Sequence, residues 1–124
     1  MNIVDSSGWL EYFADGPNAG FFAAPIEATD ELVVPSINIY EVFKRILQQR
    51  NETAALEAIT FMKSGIQVDL TEATALHAAR ISIDCKLPMA DSIMLTTARE
   101  WDAVLWTQDA DFQGLEGVKY CRKS

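Results

Sequence analysis

The chain has 124 residues, 49% of them apolar and 23% charged, with 18 acidic side chains against 10 basic ones for a net charge of −8. That length supports one domain over 1–124, burying roughly two thirds of the surface its unfolded form exposes, and the composition excludes disorder and low complexity. The acidity excludes a general electrostatic grip on nucleic acid, so a nucleic-acid substrate requires positive charge from a local source.

Asn2 to Val4 reads as a short strand ending at Asp5, and Ser6 to Ala14 as a helix with Trp9, Tyr12 and Phe13 at helical spacing. Gly16-Pro17-Asn18 signals a turn. Ala19 to Ala28 is a second helical stretch, with Phe21, Phe22 and Ile26 on its apolar side and Pro25 expected to kink it or delay its start. Leu32 to Pro35 is the second strand. Ser36 is the expected cap of a helix running to about Arg50, with Ile39, Tyr40, Phe43, Ile46 and Leu47 as its core face. Glu52 to Lys63 forms a further amphipathic helix through Leu56, Ile59, Phe61 and Met62, closed by Ser64-Gly65.

Ile66 to Leu70 is a third strand, and Thr71 opens a helix through Leu76, Ala79 and Ile83 to Cys85. Pro88 enters the next helix, which reaches about Trp101. Ala103 to Trp106 is a fourth strand and Val118 to Cys121 a fifth at the edge. Short apolar runs alternating with helical patterns predict α/β architecture, three layers α/β/α around a parallel sheet of four to five strands. In such sheets ligands bind at the carboxyl ends of the strands.

Cys85 and Cys121, with one histidine (His77) and no CxxC, exclude the usual zinc spacings. Both are expected as buried thiols, and His77, among alanines, as structural. No basic residue precedes the first apolar run, so no signal peptide is expected, and no run approaches the ~18 apolar residues of a membrane span. A reducing cytoplasm is the expected compartment.

Acids stand where the topology places strand ends. Asp5 follows the first strand, and Thr107, Asp109 and Asp111 follow the fourth; Glu41 and Asp91 sit inside helices. Asp91 has Met94, Leu95 and Ala98 on its helical face, where an uncompensated charge costs several kcal/mol. Taken singly, each has an ordinary alternative: Asp5 as a helix cap, Glu41 as a surface acid paired with Lys44 or Arg45, Asp91 as a first-turn acid, Asp109 and Asp111 as turn residues. Taken together, converging carboxylates either take up protons or bind a hard cation, and Mg²⁺ or Mn²⁺ is the expected occupant. Such a cation activates water for phosphodiester hydrolysis. Asp5, Asp91 and an acid of the Thr107 to Asp111 loop are the expected ligands, with Glu41 a ligand or the orienter of the attacking water. Lys44, Arg45 and Arg99 are candidate contacts for a phosphate backbone.

The motif order, "VDSS" after the first strand, the glutamate of "SINIYEVFKR", the aspartate of "LPMADSIMLTTAR" and "TQDADFQGLEGV" after the last main strand, resembles the PIN-domain ribonucleases, above all VapC-type toxins of toxin-antitoxin pairs. The similarity spans Ile3 to about Tyr120. It implies a magnesium-dependent endoribonuclease toxin in which Asp5, Glu41 and Asp91 match the first three family acids and Asp109, or alternatively Asp111, the fourth. Thr107 and Ser6 match hydroxyl positions that shape the site. It also implies a VapB-like antitoxin partner, whose docking surface includes Phe21, Phe22 and Ile26 unless these are core, and a homodimer. The alternative is a PIN-like module that binds RNA or protein without turnover.

Overall fold

Five strands and six α-helices alternate along the chain in a computed structural model that describes residues 1–124. The strands are β1 (Asn2–Val4), β2 (Val33–Pro35), β3 (Ile66–Val68), β4 (Val104–Thr107) and β5 (Val118–Tyr120). The helices are α1 (Ser6–Phe13), α2 (Ala19–Glu27), α3 (Ser36–Gln49), α4 (Glu52–Met62), α5 (Glu72–Cys85) and α6 (Met89–Glu100). Every strand pair is parallel: β1 with β4, β4 with β5, and β2 with β3. The β1-β4-β5 and β2-β3 ladders meet through one parallel bridge, Asn2 with Leu32, which gives the order β3-β2-β1-β4-β5.

Neighbouring residues of a strand serve opposite layers, as the two-residue strand period requires. Val4 and Val34 belong to a core with Trp9, Phe22, Ile26, Val42 and Met62, beneath α1 to α4. Ile3, Val33 and Leu105 belong to a second core with Met94, Leu95, Ala98 and Phe112, beneath α5 and α6. Helices therefore cover both faces of a buried parallel sheet, which is why the strands read as continuous apolar runs.

Several local expectations shift. Ser36 is the first residue of α3 rather than its cap; Pro35 holds the cap position, and the Ser36 hydroxyl donates to the Val68 carbonyl (3.3 Å) and the Asp69 carboxylate (3.0 Å), tying α3 to the end of β3. The core face of α3 is Asn38, Val42 and Ile46, with Ile39 and Phe43 at its margin, while Tyr40 and Leu47 are exposed. Asn38 turns inward together with Val42 and Ile46, and its amide donates to the Ser6 hydroxyl at the start of α1. On α4 the buried residues are Ala55, Ala58 and Met62, and on α5 Thr74 and Ala78; Leu56, Phe61, Leu76 and Ile83 are exposed. Small residues are buried there because helix packs on helix at short range. α2 starts at Ala19 despite Pro25, and both cysteines are half-buried, not buried. Phe22 and Ile26 are wholly buried and so belong to the core rather than to a docking surface.

Gly8 sets the approach of α1 to the sheet. A Cβ there would meet the Phe22 ring at 2.5 Å and the Val4 side chain at 2.7 Å, both within the packed core. Gly8→Ala is accordingly expected to lower stability by about 1–3 kcal/mol, read as a lower urea midpoint at unchanged slope; an unchanged midpoint contradicts this packing.

Candidate active site

Asp5 is placed by the end of β1. Its backbone N–H donates to the Trp106 carbonyl (3.1 Å), extending the β1-β4 ladder by one bond. Its carboxylate then caps α1: Oδ1 accepts from the Gly8 N–H (2.9 Å) and the Ser7 hydroxyl (3.0 Å), and Oδ2 accepts from the Thr107 hydroxyl. The cap of the sequence reading is therefore real. An ionised carboxylate has about four acceptor positions, so three bonds still leave Oδ2 capacity for a further partner.

Thr107 relays this order into the next loop. Its Oγ1 accepts from the Asp109 N–H (2.9 Å), and Asp109 in turn accepts from the Asp111 N–H (2.9 Å), opening the 3₁₀ turn Ala110–Phe112. Phe112, wholly buried in the second core, pins that turn. The loop acids are thus fixed at both ends, by a hydroxyl and by an aromatic anchor.

Glu41 arrives from α3. The Ser6 hydroxyl donates to Glu41 Oε1 at 2.6 Å, and the Asn38 side-chain amide donates to Ser6 Oγ at 3.0 Å. Asn38 is wholly buried, and its Oδ1 has no protein partner. The sequence reading missed this residue, although its signal was present: an amide three positions before Glu41, on the same face of an otherwise apolar run.

Asp91 lies in the first turn of α6, half-buried over Met94 and Leu95. One carboxylate oxygen from each of Asp91, Asp109 and Asp111 falls within 4.8 Å of the others. Burial, then the negative charges of Asp109, Asp5, Glu41 and Asp111, push the Asp91 carboxyl up to about 7. Burial raises Asp5 to about 6, against the lowering pull of its bonds from Thr107, Gly8 and Ser7, with Asp109 adding a smaller upward push. Five acids thus feel one another. The one ion pair in the structure is His77 with Glu100, so no basic side chain neutralises them.

Asp5, Glu41, Asp91, Asp109, Asp111, Ser6 and Thr107 are all brought together, and both candidates for the fourth acid face Asp91. Lys44 and Arg45 are exposed one turn beyond Glu41, with Lys44 Nζ 5.6 Å above the Tyr40 ring. Arg99 is two turns along α6 from Asp91, about 12 Å of helix away, and does not join the site. Exposed His77 is also outside it. The donors that converge are all carboxylate oxygens, the set preferred by hard divalent cations such as Mg²⁺ or Mn²⁺, with no sulfur or imidazole that would favour zinc.

The family profile of the PIN domain matches residues 3–118. The chain belongs to the PIN-domain family. A search of curated proteins gave no match, but solved structures share the fold. A toxin-antitoxin complex from Klebsiella pneumoniae superposes with a TM-score of 0.80 at 20% identity, covering 96% of each chain. VapC20 from Mycobacterium tuberculosis, a sarcin-ricin loop cleaving toxin, gives 0.79 at 13% identity, covering 95% of this chain and 97% of that one. VapBC2 from Rickettsia felis, bound to a promoter DNA fragment, gives 0.75 at 9% identity over 98% and 97%. The three-layer parallel architecture expected from the sequence is therefore that of a PIN domain.

The raised acids fix a sign for stability against pH. Each has a folded pKa above its unfolded value of 3.8, about 6 for Asp5 and about 7 for Asp91. The folded state then binds more protons than the unfolded one, and stability falls with rising pH. This contribution is complete below 3.8 and gone above the folded values. In thermal melts without divalent cations, the Tm of this PIN domain should fall between about pH 4 and pH 8 relative to that of an Asp91→Asn variant, whose curve is flatter. Parallel curves for the two proteins contradict the clustering of charge around Asp91.

Proposed function

We propose that this PIN domain is a magnesium- or manganese-dependent endoribonuclease, a toxin of the VapC kind restrained in the cytoplasm by a VapB-like antitoxin. The observation that carries the reading is the close approach of Asp91, Asp109 and Asp111, one carboxylate oxygen of each within 4.8 Å of the others, near enough to Asp5 and Glu41 to feel their charge and with no basic side chain paired to them. Solved structures of the same fold include a sarcin-ricin loop cleaving toxin and toxin-antitoxin complexes, which supports it. No helix is long and apolar enough to cross a membrane.

Asp5, Asp91 and Asp109 are the proposed metal ligands, with Asp111 beside them. When bound, the cation supplies an activated water and neutralises charge on the phosphoryl oxygens. Thr107 and the α1 cap hold Asp5 in one rotamer. Asn38 and Ser6 hold Glu41 by Oε1, leaving Oε2 to orient the attacking water and accept its proton. Lys44 and Arg45 receive the RNA backbone on the α3 side. The antitoxin meets a chain of net charge −8, which suits a basic segment. With Phe22 and Ile26 buried, the exposed apolar alternative for its side chains is a cleft of about 320 Å³ between α1, α3 and α4, lined by Leu10, Phe13, Ile46, Ala58 and Phe61. Exposed Leu76 and Ile83 on α5, with Met89 at the start of α6, support a homodimer.

Asp5→Asn and Asp91→Asn should each lower Mg²⁺-dependent RNA cleavage by ~100-fold or more, since even residues behind a metal ligand cost ~10–100-fold when removed. Chelation should abolish cleavage by the parent and added Mg²⁺ or Mn²⁺ restore it. Asp91→Asn removes a repelled charge, so it should fold at least as well as the parent without metal. Parent-rate cleavage by either variant refutes the site. A protein that binds RNA and never cuts it, in either cation, would be a binding module instead.

A further inference from the structure

We propose that the cleft beside Asp109, walled by Tyr120, Arg122 and Lys123, is a substrate subsite that holds the RNA nucleotide flanking the scissile phosphate. Arg122 and Lys123 take its backbone phosphate and the Tyr120 ring takes its base. The inference rests on the ribonuclease reading and adds to it a second basic wall, distinct from Lys44 and Arg45.

The cleft has a volume of about 410 Å³ and is lined by Ser7, Gln108, Asp109, Tyr120, Arg122 and Lys123. Asp109 belongs to the acid cluster and the Ser7 hydroxyl donates to the Asp5 carboxylate, so the cleft adjoins the proposed metal position. A strand of RNA whose phosphate lies at the acids must continue past the cluster's rims. This rim carries Arg122 and Lys123, as the α3 side carries Lys44 and Arg45.

The segment that presents them is held in place. The Cys121 N–H donates to the Thr107 carbonyl (2.9 Å), continuing the β4-β5 ladder one residue beyond Tyr120. The Asn18 side-chain amide donates to the Arg122 carbonyl (3.0 Å) and to Gln108 Oε1 (2.9 Å). Gln108, 4% exposed, reaches the Ser7 carbonyl at 3.4 Å through its own amide. Asn18 and Gln108 thus join the cationic segment to the turn that carries Asp5.

Charge distribution favours a polyanion here. Of ten basic residues in the chain, three fall within Lys119 to Lys123. Lys119 Nζ lies 4.5 Å above the Trp106 ring, whereas Arg122 and Lys123 are exposed and make no ion pair. Free cations beside an acid cluster offset the repulsion that the cluster exerts on an approaching phosphate backbone. Tyr120 in the same cleft offers a base a stacking face, a feature of single-strand binding that an acidic peptide does not need.

The test compares the parent with Arg122→Ala/Lys123→Ala and Arg122→Lys/Lys123→Arg. Both substituted side chains are exposed, and the structural bond at position 122 uses the backbone carbonyl, so equal Tm values are expected. Binding of a short fluorescein-labelled single-stranded oligoribonucleotide is measured by anisotropy in calcium over a range of salt. The alanine variant should lose about 1–2 from the slope of log K against log salt, and the charge-conserving variant should keep the parent slope. In Mg²⁺ the alanine variant should raise the KM for RNA about tenfold, with a smaller effect on kcat. Unchanged slope and KM overturn the subsite. So does an alanine variant that binds RNA as the parent does but loses affinity for its antitoxin, which would make the cleft a protein-docking surface. The slope needs no turnover: a parent that cuts no RNA sinks the ribonuclease reading, while the slope alone still decides the subsite.

Discussion

The carboxylate of Asp5 is the joint on which the rest of the site is built. Its backbone adds a bond to the β1-β4 ladder, its Oδ1 accepts from the Gly8 N–H and the Ser7 hydroxyl of α1, and its Oδ2 takes the Thr107 hydroxyl. A buried acid is expensive unless such bonds satisfy it, and here they come from α1, through Gly8 and Ser7, and from Thr107 at the end of β4. Helix and strand end are therefore aligned by one side chain. Because Thr107 passes the order on to Asp109 and Asp109 to Asp111, the geometry of the loop acids descends from the same joint.

Those bonds only partly offset burial, which is why Asp5 still titrates near 6 and Asp91, with fewer donors and more negative neighbours, near 7. The fold holds its acids at a tension that a proton or a divalent cation relieves. Packing that secures this tension is supplied from below: Phe112 under the loop, Met94 and Leu95 under Asp91, and the wholly buried Asn38 behind Ser6 and Glu41.

Much of this was legible in the sequence because strand ends are marked by polar residues breaking apolar runs. Asp5 after Asn2 to Val4 and Thr107 beside Val104 to Trp106 could be placed from pattern alone, and parallel topology then set them side by side. Helix rotation was harder. Tyr40 and Leu47 look more like core than Asn38 does, and Asn38, inward beside Val42 and Ile46, finds its partner in the hydroxyl of Ser6, 32 residues away. Small buried residues misled in the same way on α4 and α5, where Ala55, Ala58 and Ala78 lie inside and Leu56 and Leu76 outside. Hydrophobicity ranks side chains by size, whereas close helix packing selects the small ones. The role of Ser36 was missed because its partners, Val68 and Asp69, are also remote in sequence.

The bridge between Asn2 and Leu32 is the one backbone link between the β1-β4-β5 and β2-β3 ribbons. Asp5 and the loop acids ride on the first ribbon, and Glu41 leaves the second on α3. The acid cluster is therefore assembled across a seam rather than on one rigid sheet. Backbone bonding does little to hold the seam shut at that point; the 2.6 Å contact from Ser6 to Glu41 and the Asn38 amide behind it act as the clasp. Two small polar side chains thereby set how closely Glu41 approaches the turn that carries Asp5.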